Sequence, residues 1–332
     1  MKTLLILKIL EEYSNENNPL TQQQIIQYLK DNYNEDCDRR TVARRIKELS
    51  YLDDYDVVKC KKGTYLNKTF EDSDLRLLID SILFSQNIGS NEVQRLIKKL
   101  RSLGDKDFKS KFKHTFYVKN LRYNDNTQVM YSVDVINEAI NKSKKISFTY
   151  NRYERVNNIF QLQPKTNKPY KVNPYQMVIA TGRYYLIANT DGYDNIVHYR
   201  IDKMTNVKIL NESSTPERNI LGKSTGNFNL PRHMVEHLYM FGGESVWVKF
   251  WICDDITDSL VDWFGTGKNY KILKFENNRF LIEVKINYSA MKFWAMQFGE
   301  YVEIVSPTNL RDEIKEVAQD MADKYSKKPV LQ

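Results

Sequence analysis

Along this chain the spacing of the apolar residues changes period, and that change limits the architectures open to it more than any other feature. Over roughly the first hundred residues apolar side chains recur at helical intervals. Leu4, Leu5, Ile9 and Tyr13 fall near one helical face; Ile25, Ile26 and Leu29 form a second stripe, and Val42, Ile46 and Leu49 a third. Leu75, Leu78, Ile79 and Ile82, then Val93, Ile97 and Leu100, continue the pattern on either side of Gly89-Ser90. A helix from Val133 to Lys142 follows, and from Ile146 the period becomes two. Ile146 to Tyr150, Val172 to Ala180, Arg183 to Asn189, Ile196 to Ile201 and Val207 to Leu210 read as strands, separated by turn signals such as Thr181-Gly182 and Asp191-Gly192. Strands this short and this closely spaced imply a small barrel or a strongly bent sheet. The chain is therefore α+β and multidomain, and its 332 residues accommodate two to three domains.

Local signals sharpen the N-terminal part. Thr21, with Gln24 three residues on, has the form of a capping box, and Asp38 is placed to cap a helix running to Leu49. At about 100° per residue, Arg40, Arg44 and Lys47 lie roughly 130–170° from the Val42–Ile46–Leu49 stripe, with Thr41 on the flank. Val57 to Leu66 then reads as a hairpin with Gly63 in its turn and Lys59, Lys61 and Lys62 near its tip. Helix, helix, basic helix, basic hairpin is the order of a winged helix-turn-helix.

Boundaries follow from these shifts: a winged helix over 1–70, a helical linker over 71–127, a barrel domain over 128–212, a connector over 213–235 and a C-terminal α+β domain over 236–332. The lysine-rich stretch Lys106 to Thr127 is compatible with a hairpin or an ordered linker, and Pro216 to Pro231 has a connector's composition. In the last domain Ser245 to Ile252, Tyr270 to Phe275, Arg279 to Ile286 and Tyr301 to Val305 read as strands. Thr257 to Phe264, Ser289 to Phe298 and Thr308 to Ser326 read as helices.

Composition excludes several classes. With 41% hydrophobic and 28% charged residues the chain is an ordinary globular one rather than a disordered one. Its apolar runs, such as Val246 to Ile252, are far short of a membrane span, and Lys8, Glu11 and Glu12 spoil a signal-peptide reading of the start. Cys37, Cys60 and Cys253 are odd in number and far apart, which fits a reduced, cytoplasmic setting. The net charge of +8 is unevenly spread: Arg39 to Lys68 carries nine basic and four acidic groups, and residues 128–225 carry 14 and eight. The region 226–332, with 13 and 15, is slightly acidic and suits a protein–protein surface better than a DNA surface. Two basic zones suggest two anionic contacts.

The order of parts resembles the WYL-domain transcriptional regulators of bacteria: winged helix, helical linker, WYL domain and a C-terminal WCX extension. The residues carrying the resemblance are Pro174-Tyr175, then Gly182-Arg183-Tyr184-Tyr185-Leu186-Ile187-Ala188, then His198-Tyr199-Arg200-Ile201-Asp202-Lys203. Tyr184 stands in the place of the tryptophan that gives the family its first letter; Tyr185 and Leu186 match the other two. The resemblance implies an Sm-like small β-barrel over about 128–212 with ligand sensing in it, and operator binding by the winged helix.

A duplex binder must neutralise phosphates and present side chains to base edges. Arg40 and Arg44, one turn apart, can reach neighbouring positions in a major groove, where arginine reads guanine with two hydrogen bonds. Arg39, Thr41, Arg45 and Lys47 complete the candidate helix surface, and Lys59, Lys61 and Lys62 would sit on phosphates. Without the flanking helices and hairpin, such a cluster is more often only a solvated face. The second candidate set is Tyr150, Tyr175, Arg183, Tyr184, Tyr185, His198 and Arg200. Alternation puts Arg183 and Tyr185 on one face of their strand, Tyr184 and Leu186 on the other, and His198 with Arg200 opposite Tyr199. Cations beside tyrosines suit a nucleotide or a short single strand; equally, Tyr184 and Tyr199 can be core, with Arg200 paired to Asp202.

His233-Met-Val-Glu236-His237 spells H-x-x-E-H, a zinc-peptidase pattern, but so short a match arises by chance and a polar helical turn is preferred. Gly265-Thr-Gly267-Lys268 lacks P-loop spacing. No catalytic residue, metal or cofactor is assigned, and a non-enzyme is expected. The expected partners are double-stranded DNA, a nucleotide or single-stranded effector and a second copy of the chain, since one winged helix reads too few base pairs alone; no membrane contact is expected. The alternative is an accessory protein that holds RNA or single-stranded DNA in its barrel.

Overall fold

Helix ends in the N-terminal region are set by side chains rather than by distant packing. The Thr21 hydroxyl accepts from the Gln24 amide at 3.3 Å while the Gln24 side chain accepts from the Thr21 amide at 2.8 Å. This reciprocal pair starts the second helix. Asp38 starts the third, its carboxylate accepting from the Thr41 amide at 2.9 Å. That bond, with the Thr41 hydroxyl, holds the Asp38 carboxyl below its ordinary pKa. Between them Asn34 closes the second helix in the left-handed conformation (φ 52°), which asparagine tolerates.

The computed structural model describes residues 1–85, 87, 89–111, 126, 128–216 and 230–326. Most of Lys106 to Thr127 and of the Pro216–Pro231 connector lies outside the described residues. Two units are distinguished, Met1–Asn124 and Asp125–Gln332.

In the first unit α1 (Lys2–Tyr13), α2 (Gln22–Tyr33) and α3 (Arg39–Leu49) precede the hairpin β1 (Asp56–Cys60) and β2 (Gly63–Asn67). The second and third stripes pack inward as read, but the first is shifted: Ile6, Leu7, Ile9 and Leu10 are buried and Leu4 is exposed, and the buried four join Ile25, Leu29, Val42, Ile46 and Leu49 in one core. Cys60 pairs with Gly63, so Lys61-Lys62 is the two-residue turn and Gly63 opens β2 instead of lying in the turn. Leu20 and Thr64 exchange two backbone hydrogen bonds of 2.8 Å, joining the hairpin to the residue ahead of α2. A Cβ on Gly63 would lie 2.5 Å from the Leu20 carbonyl oxygen, so this approach requires glycine.

The helices α4 (Asp72–Phe84), α5 (Ser90–Leu103) and α6 (Lys106–Lys111) follow, around Leu75, Ile79 and Phe108. Leu78, expected on the inner stripe, is exposed. Asp105 ties these helices to the winged helix. Its carboxylate accepts from Lys68 Nζ at 2.8 Å, Asn15 Nδ2 at 2.9 Å and the Phe108 amide at 2.8 Å. Burial alone would raise its pKa, yet these donors outweigh burial and lower it. Its stabilisation is thus fully present above the ordinary carboxylate range and is lost as pH falls below that range through the lowered pKa of the folded state. Asp105→Ala is expected to cost about 2–4 kcal/mol, because it strands Lys68 in a largely buried site. Denaturant unfolding of the wild type and the variant at neutral pH measures this.

The second unit opens with α7 (Val129–Asn141), packed on a curled half-barrel of six antiparallel strands. These are β3 (Lys144–Val156), β4 (Ile159–Pro164), β5 (Tyr170–Ala180), β6 (Arg183–Thr190), β7 (Ile196–Arg200) and β8 (Met204–Ser213), in the order β4-β3-β5-β6-β7 with β8 also on β3. The period-two pattern marks five of these strands and not β4. Asn157 and Asn158, both with positive φ, form the tight turn that doubles β3 back into it.

The last part carries α8 (Leu230–Glu236), β9 (Ser245–Cys253), α9 (Thr257–Phe264), β10 (Tyr270–Glu276), β11 (Arg279–Asn287), α10 (Tyr288–Gln297), β12 (Val302–Ser306) and α11 (Thr308–Ser326). Its sheet has the order β10-β11-β9-β12, and the helices close one face over Phe250, Phe264 and Trp294, whose rings meet at 5.1–6.3 Å. Trp294 is fully buried and Trp247 is exposed. No helix among the described residues is long and apolar enough to cross a membrane.

Candidate functional site

The surface of α3 separates as its spacing requires. Val42, Ile46 and Leu49 are buried, while Arg39, Arg40, Arg44 and Lys47 are exposed. The wing residues Lys59, Lys61 and Lys62 are exposed too, and Arg39 and Ala43 share a cleft with Lys59, Lys61 and Lys62. The start of α3 and the wing tip therefore line one concave, cationic surface. Two members of the expected set are engaged elsewhere. Arg45 is half-buried and its Nη1 donates to both carboxylate oxygens of Glu48, at 2.7 and 2.9 Å, while Thr3 of α1 donates to the same carboxylate. The Thr41 hydroxyl donates to Asp38 at 2.7 Å, serving the cap. Arg45 thus belongs to the helix flank rather than to the free face, since i and i+3 neighbours of opposite charge meet along a helix.

In the half-barrel the two faces of β6 and β7 diverge as alternation predicts. Tyr184, Leu186, Ala188 and Tyr199 face inward, with Phe148, Tyr150 and Tyr170. The rings of Phe148, Tyr150, Tyr170 and Tyr199 lie 5.2–6.2 Å apart. Tyr150 is part of this packed cluster; burial pushes its phenol up to about 12, and its oxygen accepts from the Arg200 amide. Tyr185 and Ile187 face outward and pack with Val178 and Met240. Tyr175 sits at the irregularity between Pro174 and Gln176, where the β5–β6 register shifts. The seven expected ligand residues are therefore not on one wall: Tyr150 and Tyr184 lie inside, and Tyr185, His198 and the arginines outside.

Arg183 and Arg200 do converge, on Asp202. Asp202 Oδ2 accepts from Arg183 Nη1 at 2.7 Å and from Arg200 Nη2 at 2.5 Å, and Oδ1 accepts from Arg200 Nε at 3.0 Å. Burial alone would lower the Arg200 pKa, and the bond to Asp202 more than reverses this. Asp202 is 1% exposed and its backbone carbonyl accepts from Asn126 Nδ2 at 3.1 Å. One carboxylate faces two guanidiniums, so the group keeps a surplus positive charge. Lys203 adds to it: its pKa is lowered by burial first and then by Arg200, with Arg183 and Lys165 acting the same way and Asp202 opposing. Lys165 and Lys203 were not among the expected residues. Lys203 adjoins the His198–Asp202 run, but Lys165 reaches the group only through the β3–β4 hairpin that the sequence did not disclose.

His198 is not a partner of these cations. It points from β7 to the segment around α8, with Nδ1 3.1 Å from the Met240 carbonyl and Nε2 2.7 Å from Nε2 of His233. His237, one residue past α8, has Nδ1 2.8 Å from the Phe241 carbonyl. Burial first, then the charge of His237, brings the His198 pKa down to about 4; burial, then His237 and His198, brings that of His233 to about 3. His198 is thus a neutral ring near pH 7, not the cation expected beside Arg200.

Comparison with known families adds the identity of these parts. The WYL domain family matches residues 132–209 and the WCX domain family residues 244–322. A search of curated proteins gave no match. Among solved structures the chain is similar to proteasome accessory factor B/C (PafBC) of Arthrobacter aurescens, at 13% identity and TM-score 0.29, over 95% of this chain and 47% of that one. It thus spans about half of the PafBC chain. It is also similar to a CRISPR Cas-related protein, at 14% identity and TM-score 0.38, over 98% of this chain and 84% of that one. The curled sheet thus carries the WYL match, and the four-stranded unit that follows it carries the WCX match.

Proposed function

We propose that this protein is a cytoplasmic, ligand-responsive transcriptional regulator, a binding protein rather than an enzyme. In this reading it holds operator DNA through α3 and the wing as a homodimer. The observation that carries it is the cleft that Arg39 shares with Lys59, Lys61 and Lys62, next to the exposed Arg40, Arg44 and Lys47 of the same helix and backed by a fully apolar inner stripe. A helix so anchored can enter a major groove while the wing lysines rest on phosphates.

The effector is an anion with rings, a nucleotide or a short single strand. The surplus charge of Arg183, Arg200, Lys203 and Lys165 around one carboxylate supports this class, because guanidinium groups fork onto phosphate oxygens. Its binding would shift operator affinity by biasing one arrangement of the dimer. The same cationic group also favours the second reading, in which the barrel holds RNA or single-stranded DNA and no operator exists.

The two readings separate in one experiment. Genomic fragments retained by the purified protein are sequenced, and affinity for the recovered duplex is compared with that for a shuffled duplex and a single strand of equal length. A regulator prefers its own duplex by about 10³-fold or more at physiological salt. Equal affinity for both duplexes, with tighter single-strand binding, overturns the first reading in favour of the second.

A further inference from the structure

Three of the four histidines of this chain meet at one place. His198 comes from β7, an edge strand of the half-barrel, and His233 and His237 lie one helical turn apart at the end of α8. One ring nitrogen from each lies within 4.8 Å of the other two. Ring centroids are 5.0 Å apart for His198 and His233, 5.1 Å for His198 and His237, and 4.1 Å for His233 and His237.

Hydrogen bonding fixes how two of the rings present themselves. A carbonyl oxygen can only accept, so His198 Nδ1–H donates to Met240 and His237 Nδ1–H donates to Phe241. In each neutral ring the Nε2 then carries a lone pair. At the 2.7 Å contact His233 Nε2–H is the donor and His198 Nε2 the acceptor. Imidazoles that donate one nitrogen to a backbone carbonyl and turn the other inward have the outer-sphere support that metal-binding histidines use.

We propose that His198, His233 and His237 form a binding site for a divalent transition metal of the zinc class, which joins the barrel edge to the segment leading into the WCX domain. Three neutral imidazoles without carboxylate or thiolate select zinc, cobalt, nickel or copper over magnesium or calcium. Tetrahedral ligation at about 2.0–2.1 Å puts ligand nitrogens about 3.3 Å apart. The His198–His233 pair opens by about 0.6 Å for this, and no nitrogen has to close by more than about 1.5 Å. The metal takes the place of the proton between the two rings, and His233 carries that proton on Nδ1 instead. Three protein ligands leave a fourth position for water or an effector atom.

Glu236 gives this site a character other than that of a peptidase. Its carboxylate lies 3.8 Å from Lys285 Nζ and is not among the converging ligand atoms. The H-x-x-E-H spacing therefore contributes its histidines, and the third ligand comes from a strand 35 residues earlier. The proposal is independent of DNA binding: a chain without duplex affinity that takes up one metal ion satisfies it.

The test uses full-length, tag-free protein stripped by a chelator and titrated with Zn²⁺ against a chromogenic indicator, and separately with Co²⁺ under visible spectroscopy. Expected are one Zn²⁺ per chain with sub-micromolar affinity, the intense visible bands of four-coordinate Co²⁺, and a rise in thermal midpoint of roughly 5 °C with Zn²⁺. His198→Ala and His233→Ala should each weaken Zn²⁺ binding at least a hundredfold, and His114→Ala should leave it unchanged. Circular dichroism of each variant separates lost ligation from lost folding, and the wild-type Co²⁺ spectrum stands whether or not the variants fold. Wild-type affinity weaker than about 100 µM, an octahedral Co²⁺ spectrum, or binding that survives loss of His198 in a folded variant overturns the proposal.

Discussion

Replacing Arg40 and Arg44 together by alanine is expected to weaken operator binding about a hundredfold or more while leaving the fold intact. Each bidentate arginine–guanine contact discriminates by about 1–3 kcal/mol, and about 2.7 kcal/mol in total already corresponds to a hundredfold. The fold should tolerate the change because Val42, Ile46 and Leu49 carry the packing, Asp38 keeps its cap, and alanine is a strong helix former. Salt dependence tells what the two arginines touch. If they neutralise phosphates, the slope of log K against log salt falls by about 0.9 for each phosphate no longer neutralised, with preference among duplexes retained. If they read bases, the slope stays near that of the wild type and the preference is erased. Replacing Lys59, Lys61 and Lys62 should do the former. Fluorescence anisotropy over a salt series measures both quantities; an unchanged duplex affinity in the Arg40/Arg44 variant would sink the α3 reading.

The second large effect is expected at Asp202. Asp202→Ala leaves Arg183 and Arg200 without their shared carboxylate in a half-buried position, and should cost about 3–5 kcal/mol. At roughly 2–4 °C per kcal/mol for a unit of this size, the thermal midpoint falls on the order of 10 °C. Asp202→Asn keeps acceptor oxygen but not charge, and should lie between. Adding Arg200→Met to Asp202→Ala should recover part of the loss, since one stranded cation is removed. The site also gives a functional readout. With Asp202 replaced, an added phosphate-bearing ligand supplies the counter-charge that the two guanidiniums then lack, so it should raise the variant's midpoint more than the wild type's. If the variant melts with the wild type, the carboxylate does not hold the barrel's outer face together.

Sequence order disclosed what is local. Caps at Thr21 and Asp38, the inner stripe of α3 and the alternation of β6 and β7 all depend on neighbours within four residues, and each is present as read. Thr257–Phe264 and Thr308–Ser326 likewise have the expected bounds. Most of what escaped depends on residues far apart in the chain. The Arg45–Glu48 pair is local to α3, at i and i+3, and the packing of α1 against α3 adds Thr3 to the same carboxylate. Tyr150, one of the candidate ligand residues, is core because Phe148 of its own strand and Tyr170 and Tyr199 of two others pack around its ring. The pairing of Arg200 with Asp202 was one of two readings left open, and the register of β7 against the following turn decides it. His233 and His237 were visible as a pair, but His198 joins them only when α8 folds onto the edge strand.

The double clasp between Leu20 and Thr64 has a consequence for how specificity can evolve. Because hairpin and helix pair travel as one piece, in the proposed binding mode the wing would clamp the sugar–phosphate rail at a fixed offset from the groove-reading residues. Substitutions at positions 40 and 44 can rewrite the target vocabulary without retuning that clamp, so a diversified library at those two codons should yield new operators of undiminished baseline affinity.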